Sequence, residues 1–325
     1  LPLEDASLYV ERRHTVSAVV RGLELAARLG ADTVSLTGLI PSATEYGLAV
    51  REATHGRSEL PRLTTGHATT AACFILMVEK LLALGGRALP DEDMVLLGVG
   101  SIGTAILRLL LRVLPHPRSL RLCDVPSRRE HLLRVKQELE AGCGFRGEVS
   151  VQGIAGAAAP PEVYEASLVL CATSASNLLD VDRLRPGTLV IDDSAPHCFD
   201  PRHAIRRFQE RRDVLFSEAG AIRSHRPIGE IRELSFATGW DHKVRSALKL
   251  LHPTEDTLMG CVFSSILSSR FEDAPCLVGT PSPLDLELHH RRLLELRFEA
   301  ARPYVEDHVL DEDLVSMFRA RFGKG

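Results

Sequence analysis

The chain has 325 residues, 45% hydrophobic and 25% charged, with a net charge of −4. Such a length exceeds one small core and fits two domains, with the balance of an ordinary globular protein. A slightly acidic chain with 5% aromatic residues gives no electrostatic case for nucleic acid and argues against stacked-base or sugar platforms.

The first third reads as helical. DASLYVERRHTVSAVVRGLELAARLG has apolar residues at three-to-four spacing and ends on Gly30, a helix-stop signal. A strand-like DTVSLTG (32–38) leads into a loop rich in Thr, Ser, Gly and Pro. TTGHATTAACFILMVEKLLALGG then predicts a second helix, capped by Thr64 or Thr65 and closed by Gly85 and Gly86. Near residue 92 the rhythm changes. MVLLGVGSIGTAILRLLLRVL is an apolar strand, a glycine turn and an amphipathic helix. SLRLCD, EVSVQ, SLVLCA, TLVIDDS and VLFSEAG read as further strands. Fully apolar strands alternating with helices predict a parallel sheet covered on both faces. From about 240 the chain turns helical again, through TEDTLMGCVFSSILSSRF, PLDLELHHRRLLELRFEAARPYV and DEDLVSMFRARF. The expected class is α/β: a Rossmann-like doubly wound parallel sheet over 91–239, inserted into a second, mainly helical domain formed by 1–90 and 240–325.

Seven cysteines, at 73, 123, 143, 171, 198, 261 and 276, form no CxxC pair and are odd in number. With no signal peptide they read as reduced thiols in a cytoplasmic setting, with no metal centre expected. No apolar run is expected to approach a membrane span. Basic runs such as RHAIRRFQERR (202–212) read as solvated helix faces. The first residue is Leu1 rather than Met, compatible with one domain of a larger polypeptide.

GVGSIG places Gly98, Gly100 and Gly103 as GxGxxG after a strand and at the start of a helix, with Ser101 and Ile102 between them. Gly98 makes the tight turn, Gly100 lets backbone approach a pyrophosphate, and Gly103 permits close helix–strand packing. Asp124 ends the second strand about 20 residues on, where a carboxylate suits ribose hydroxyls and leans toward NADH. Arg128 and Arg129 follow it and are placed either to reach a 2′-phosphate or to form an exposed helix turn. NADH against NADPH therefore stays open. Thr173, Ser174 and Asp192 end later strands and read equally as cleft lining or as turn residues.

Cys261 and His225 are the candidates for covalent chemistry. In PTEDTLMGC, Thr254 offers a cap to a helix whose first turn carries Glu255 and Asp256, which puts Cys261 about two turns in. There the helix dipole gives little help, and buried free cysteine is ordinary core material. His225 lies after the last strand of the nucleotide domain. It reads as a surface residue or a general acid, while His67 reads as facing solvent in the first turn of its helix.

Together, SLTGLIPSAT, LTTGHATTAACFILMVE, the GxGxxG turn, VIDDSAP, EAGAIRSH and LMGCVFSSIL resemble the cyanobacterial long-chain acyl-(acyl carrier protein) reductases, from the first helix to about residue 270. The resemblance implies a Rossmann domain joined to a mainly helical substrate domain, with Thr64, Thr65, Gly66 and His67 at the active-site helix start. It further implies a thioester on Cys261, hydride from NADPH, release of a fatty aldehyde, and His225 at the position of the family's histidine. Acyl carrier protein or coenzyme A is the implied thioester carrier. The chain departs from the family in lacking its N-terminal segment and in holding His67 and Thr69 where a TTGNTH run has Asn and His. It also lacks the basic residue after the second strand. The alternatives are a Rossmann dehydrogenase of a hydroxy or amino acid without an acyl-enzyme, and an inactive nucleotide-binding or carrier-docking domain.

Overall fold

The structure is a computed structural model that describes residues 5–142, 144–225 and 257–324. Six strands form one parallel sheet: β3 (Asp93–Leu97), β4 (Ser119–Asp124), β5 (Glu148–Gly153), β6 (Leu168–Cys171), β7 (Thr188–Asp192) and β8 (Val214–Glu218). Their spatial order is β5-β4-β3-β6-β7-β8, the doubly wound arrangement of dinucleotide-binding sheets. Strand order reverses between β3 and β6, which pair in parallel from Met94↔Leu168 to Leu97↔Cys171. Ligand crevices of open α/β sheets lie beyond the carboxyl ends at that switch point. Helices α6 (Ser101–Val113), α7 (Arg129–Gly142) and α8 (Pro201–Arg211) supply crossovers.

Ahead of the sheet come α1 (Asp5–Val10), α2 (Arg12–Arg28), β1 (Thr33–Ser35), α3 (Ile40–Ala43), α4 (Leu48–Ala53), β2 (Arg62–Thr64) and α5 (His67–Gly85). The single helix expected up to Gly30 is thus two pieces, and β1 pairs in parallel with β2. After the sheet come β9 (Ala221–Arg223), β10 (Thr257–Met259), α9 (Gly260–Arg270), α10 (Pro283–Glu295), β11 (Glu299–Ala300), β12 (Tyr304–Val305), β13 (His308–Val309) and α11 (Glu312–Phe322).

Helix α5 organises the interior. From Ala71 to Val78 every side chain is buried, and the helix packs on α6, α9, α10 and α11 as well as on β7 and β8. Against expectation, α5 is long and apolar enough to cross a membrane by length and composition, yet 78% of its apolar window is buried in the fold. It is a core helix, apolar all round because protein surrounds it. Its end is tied to the sheet by Arg87, whose Nε donates to Glu92 Oε1 at 2.8 Å and whose second arm donates to the Gly187 carbonyl. Both side chains are buried, Glu92 completely. Removing one partner of such a pair leaves an uncompensated buried charge. Glu92→Ala is expected to cost about 3–5 kcal/mol, seen as a lower urea midpoint at unchanged slope.

Candidate active site

The turn after β3 has the geometry its glycines predicted. Gly98 has φ +87°, and a β-carbon there would lie 2.4 Å from the Ala172 carbonyl oxygen. At Gly103 it would lie 2.0 Å from the Gly98 oxygen, so helix and strand approach as only glycine permits. Above Gly100 the space is open. No side chain caps the first turn of α6, where Ser101, Ile102 and Gly103 lie, so its leading N–H groups have no intrahelical acceptor. An open, uncapped helix start beside a glycine turn is a fitting cradle for a pyrophosphate.

Asp124 accepts the N–H of Val99 at 2.9 Å on one oxygen and the N–H of Val125 at 2.7 Å on the other. It braces the turn and keeps lone pairs for ribose hydroxyls. His131 joins from α7, its Nε2 lying 3.0 Å from the Val99 carbonyl oxygen. Arg128 and Arg129 are exposed just beyond. Across the switch point, the N–H of Thr173 donates to Ser194 Oγ at 3.1 Å, while Ser174 is exposed.

The substrate side begins at TTGH. The helix cap is neither Thr64 nor Thr65 but Gly66, in the left-handed conformation at φ +74°. Thr64 belongs to β2, and its hydroxyl pairs with Ser264 of α9 at 3.1 Å. The Thr65 hydroxyl donates to the Leu277 carbonyl at 3.3 Å and lies 2.7 Å from His67 Nδ1. His67 Nε2 lies 3.0 Å from Ser101 Oγ. A neutral imidazole donates at one ring nitrogen and accepts at the other, so His67 shares one hydrogen bond with the Thr65 hydroxyl and one with the Ser101 hydroxyl. His67 therefore does not face solvent. It is buried, held neutral by a pKa lowered to about 4 through burial, and joins the start of α5 to the dinucleotide turn.

Cys261 is where sequence and structure differ most. Thr254, Glu255 and Asp256 lie outside the described residues, and α9 begins only at Gly260, preceded by strand β10. Cys261 thus sits in the first turn of its helix, where N–H groups and the dipole favour a thiolate. Ser35 Oγ donates to its carbonyl at 2.5 Å. Gly66 is packed so closely that a β-carbon there would lie 2.7 Å from Cys261 Cα, and one at Gly260 would lie 2.5 Å from Cys73 Sγ. The thiol is pushed up to about 11, first by burial and then by Asp193, while N–H groups of Gly38, Val262 and Cys261 itself pull the other way. Three helix starts meet here: α9 touches α5 through Gly66, and α5 touches α6 through His67.

His225 is not brought to Cys261. In the antiparallel ladder Met259 faces Ala221 and Thr257 faces Arg223, so Cys261 leaves one end of β9 and His225 the other. Four residues of strand amount to roughly 13 Å. His225 is exposed, with Nε2 3.9 Å from Glu299 Oε1.

Carboxylates take its place. Asp192 at the end of β7 is buried and accepts the N–H groups of Ser194 at 2.9 Å and Cys198 at 3.2 Å. His197 bridges Asp192 at 3.3 Å and Glu218 at 3.4 Å, and its pKa is raised chiefly by the Asp192 hydrogen bond. Burial lifts Glu218 to about 7. Asp193 is half-buried, and its pKa is raised to about 8, first by burial and then by Asp192 and Glu218. The Tyr304 phenol is buried in the field of Glu218, Asp193, Cys261 and Cys73, and burial first of all raises its pKa. Of this group the sequence singled out Asp192 alone, as cleft lining or turn; for Asp193 the doubled carboxylate of IDDS at a strand end was the available signal. Cys171, Asp192 and Cys198 also converge, their ligand atoms within 4.8 Å of one another. Burial raises the pKa of both of those thiols. The six cysteines among the described residues are free.

No protein-family model matches the chain. Among solved structures, it is similar to a probable ornithine cyclodeaminase from Bordetella pertussis Tohama I, at 26% identity and TM-score 0.27, over 38% of this chain and 35% of that one. L-tryptophan dehydrogenase from Nostoc punctiforme matches at 12% identity and TM-score 0.33, over 67% of this chain and 54% of that one. Salmonella D-lactate dehydrogenase matches at 13% identity and TM-score 0.33, over 76% of this chain and 70% of that one. The chain spans less than two thirds of the length of the first two. The sheet order itself establishes the α/β doubly wound fold.

Proposed function

We propose that this chain is an NAD(P)H-dependent oxidoreductase that reduces a carrier-bound acyl thioester to an aldehyde, the acyl group passing through Cys261. The observation that carries the reading is the placement of one thiol in the first turn of α9, joined through Gly66 and His67 to the open glycine turn. Gly98, Gly100, Ser101, Ile102 and Gly103 would hold the pyrophosphate, Asp124 and Arg128 the ribose end, and Thr173 and Ser174 the nicotinamide end. When bound, the nicotinamide supplies hydride.

The remaining work falls to the chain. A thiol suits exchange with a thioester on acyl carrier protein or coenzyme A. The N–H groups of Gly38 and Val262, which already favour negative charge at the sulfur, are the donors this reading assigns to a developing oxyanion. His67, neutral and hydrogen-bonded at both nitrogens, holds the two helix starts in register.

A second reading is supported by the thiol's own state. With its pKa at about 11, Cys261 is a protonated packing residue at neutral pH. The chain would then be a Rossmann dehydrogenase of a hydroxy or amino acid, with no acyl-enzyme. Incubation with a panel of acyl thioesters and either NADH or NADPH separates the two. Aldehyde together with an acyl adduct in the intact mass is the expected result. NAD(P)-linked oxidation of a free hydroxy or amino acid, with no adduct from any thioester, supports the second reading instead.

A further inference from the structure

We propose that His67 is a positioning residue for the dinucleotide: with the pyrophosphate in place its Nε2–H donates to Ser101 Oγ, which leaves the Ser101 hydroxyl proton for the phosphate. The inference rests on the dinucleotide half of the reading above and not on the acyl-thiol half.

Ser101 opens α6 directly after Gly100, above which the space is open, and it keeps part of its surface exposed. Its Oγ lies 3.0 Å from His67 Nε2. On the other side of the ring, Nδ1 lies 2.7 Å from the Thr65 hydroxyl, which also reaches the Leu277 carbonyl at 3.3 Å. The imidazole is only 4% exposed, and the Tyr46 ring stands perpendicular to it with centroids 5.6 Å apart. Packing therefore fixes the ring's orientation together with the two hydrogen bonds.

Burial holds the ring neutral, with its pKa lowered to about 4, so one nitrogen donates and the other accepts. The chain of Thr65, His67 and Ser101 can then be polarised in two directions. In the first, Thr65 donates to Leu277, Nδ1–H donates to Thr65, and Ser101 donates to Nε2. The Ser101 proton is spent inside the protein, and only lone pairs are left for the cradle. In the second, Thr65 donates to Nδ1 and Nε2–H donates to Ser101, whose own proton is free for the open side. An anion is repelled by lone pairs and bound by donors, so a pyrophosphate stabilises the second direction over the first. Little is lost at Leu277. Its carbonyl keeps the N–H of Thr65 at 2.9 Å and gives up only the longer hydroxyl bond. A residue at the start of α5, on the substrate side, thus sets how many donors the nucleotide turn offers.

The test is binding of NADPH and NADH to the full chain, followed by nicotinamide fluorescence. Ser101→Ala and His67→Leu should each weaken binding roughly fivefold, the size of one net hydrogen bond. The double variant should bind no worse than either single one, because both substitutions remove the same oriented donor. His67→Gln, whose amide N–H reaches toward the Nε2 position, should recover most of the loss. Independent losses, about 25-fold in the double variant, overturn the assignment. The second readout is the tautomer, which a merely structural histidine would not report. In the wild-type chain with isotope-labelled histidine, saturating NADPH should leave the proton on Nε2 in the nitrogen–proton correlation spectrum, the signals being those missing from His67→Gln. A bound state protonated at Nδ1 overturns the assignment of His67 alone. Absence of NADPH and NADH binding by the wild type overturns the dinucleotide reading itself.

Discussion

Cys261→Ala is expected to lower aldehyde formation by roughly 10⁴-fold or more, the scale seen when a nucleophile is removed, while NAD(P)H binding persists. The reasoning begins with the thiol's surroundings. At pH 8 a thiol whose pKa stands at about 11 is only about one part in a thousand ionised, so it is unreactive until something takes its proton. Its first-turn position on α9 and the N–H groups of Gly38 and Val262 offset part of that burial cost. The substitution removes one sulfur and leaves the Gly66 and Ser35 contacts, which go to Cys261 backbone, in place. The dinucleotide turn is braced by Asp124 and His131 and does not depend on the sulfur. Fluorescence titration with NAD(P)H checks the retained half, and intact mass with a headspace or derivatised aldehyde assay checks the lost half. Full turnover by this variant would falsify the covalent route and leave the dehydrogenase reading standing.

The nucleotide half was legible in the sequence because its signals are local. GxGxxG after an apolar strand fixes a turn, a helix start and an acidic strand end within some thirty residues, and Gly98, Gly103 and Asp124 take up those positions. The thiol half was legible only in part. TLM (257–259) and the run after it share one apolar character, and periodicity does not separate a short strand from the start of a helix. Pairing with β9, a tertiary fact, turns 257–259 into strand and moves the helix start to Gly260. The same pairing carries His225 away from the sulfur. Asp193 was hidden for the complementary reason: at a strand end an acidic pair looks like turn chemistry, and only the fold sets its carboxyl beside Gly220. His67 was misjudged because a first-turn histidine usually faces water, whereas here α6 covers it.

Gly66→Ala is the second large effect, and it separates positioning from chemistry. Gly66 has φ +74°, and a β-carbon there would lie 2.7 Å from Cys261 Cα and 3.0 Å from the Cys261 carbonyl oxygen. The first fact costs roughly 1–2 kcal/mol for an L-residue in the left-handed region, and relieving the overlap costs about 1–3 kcal/mol more. Neither neighbour is a flexible side-chain tip, so relief must come from moving α9 away from α5 or from rotating the α5 start. Either motion shifts the sulfur, and rotation of α5 also pulls His67 from Ser101, a bond that spans 3.0 Å. A misplacement of this size is enough to lower turnover by roughly 100-fold. Gly66→Ala should therefore keep the fold at reduced stability, keep most dinucleotide affinity, and lose aldehyde formation together with the pH dependence of Cys261 alkylation by iodoacetamide. If alkylation and turnover both match the wild type, Gly66 is spacing the two helices without placing the thiol, and the link from α9 through α5 to the glycine turn is not what aligns the site.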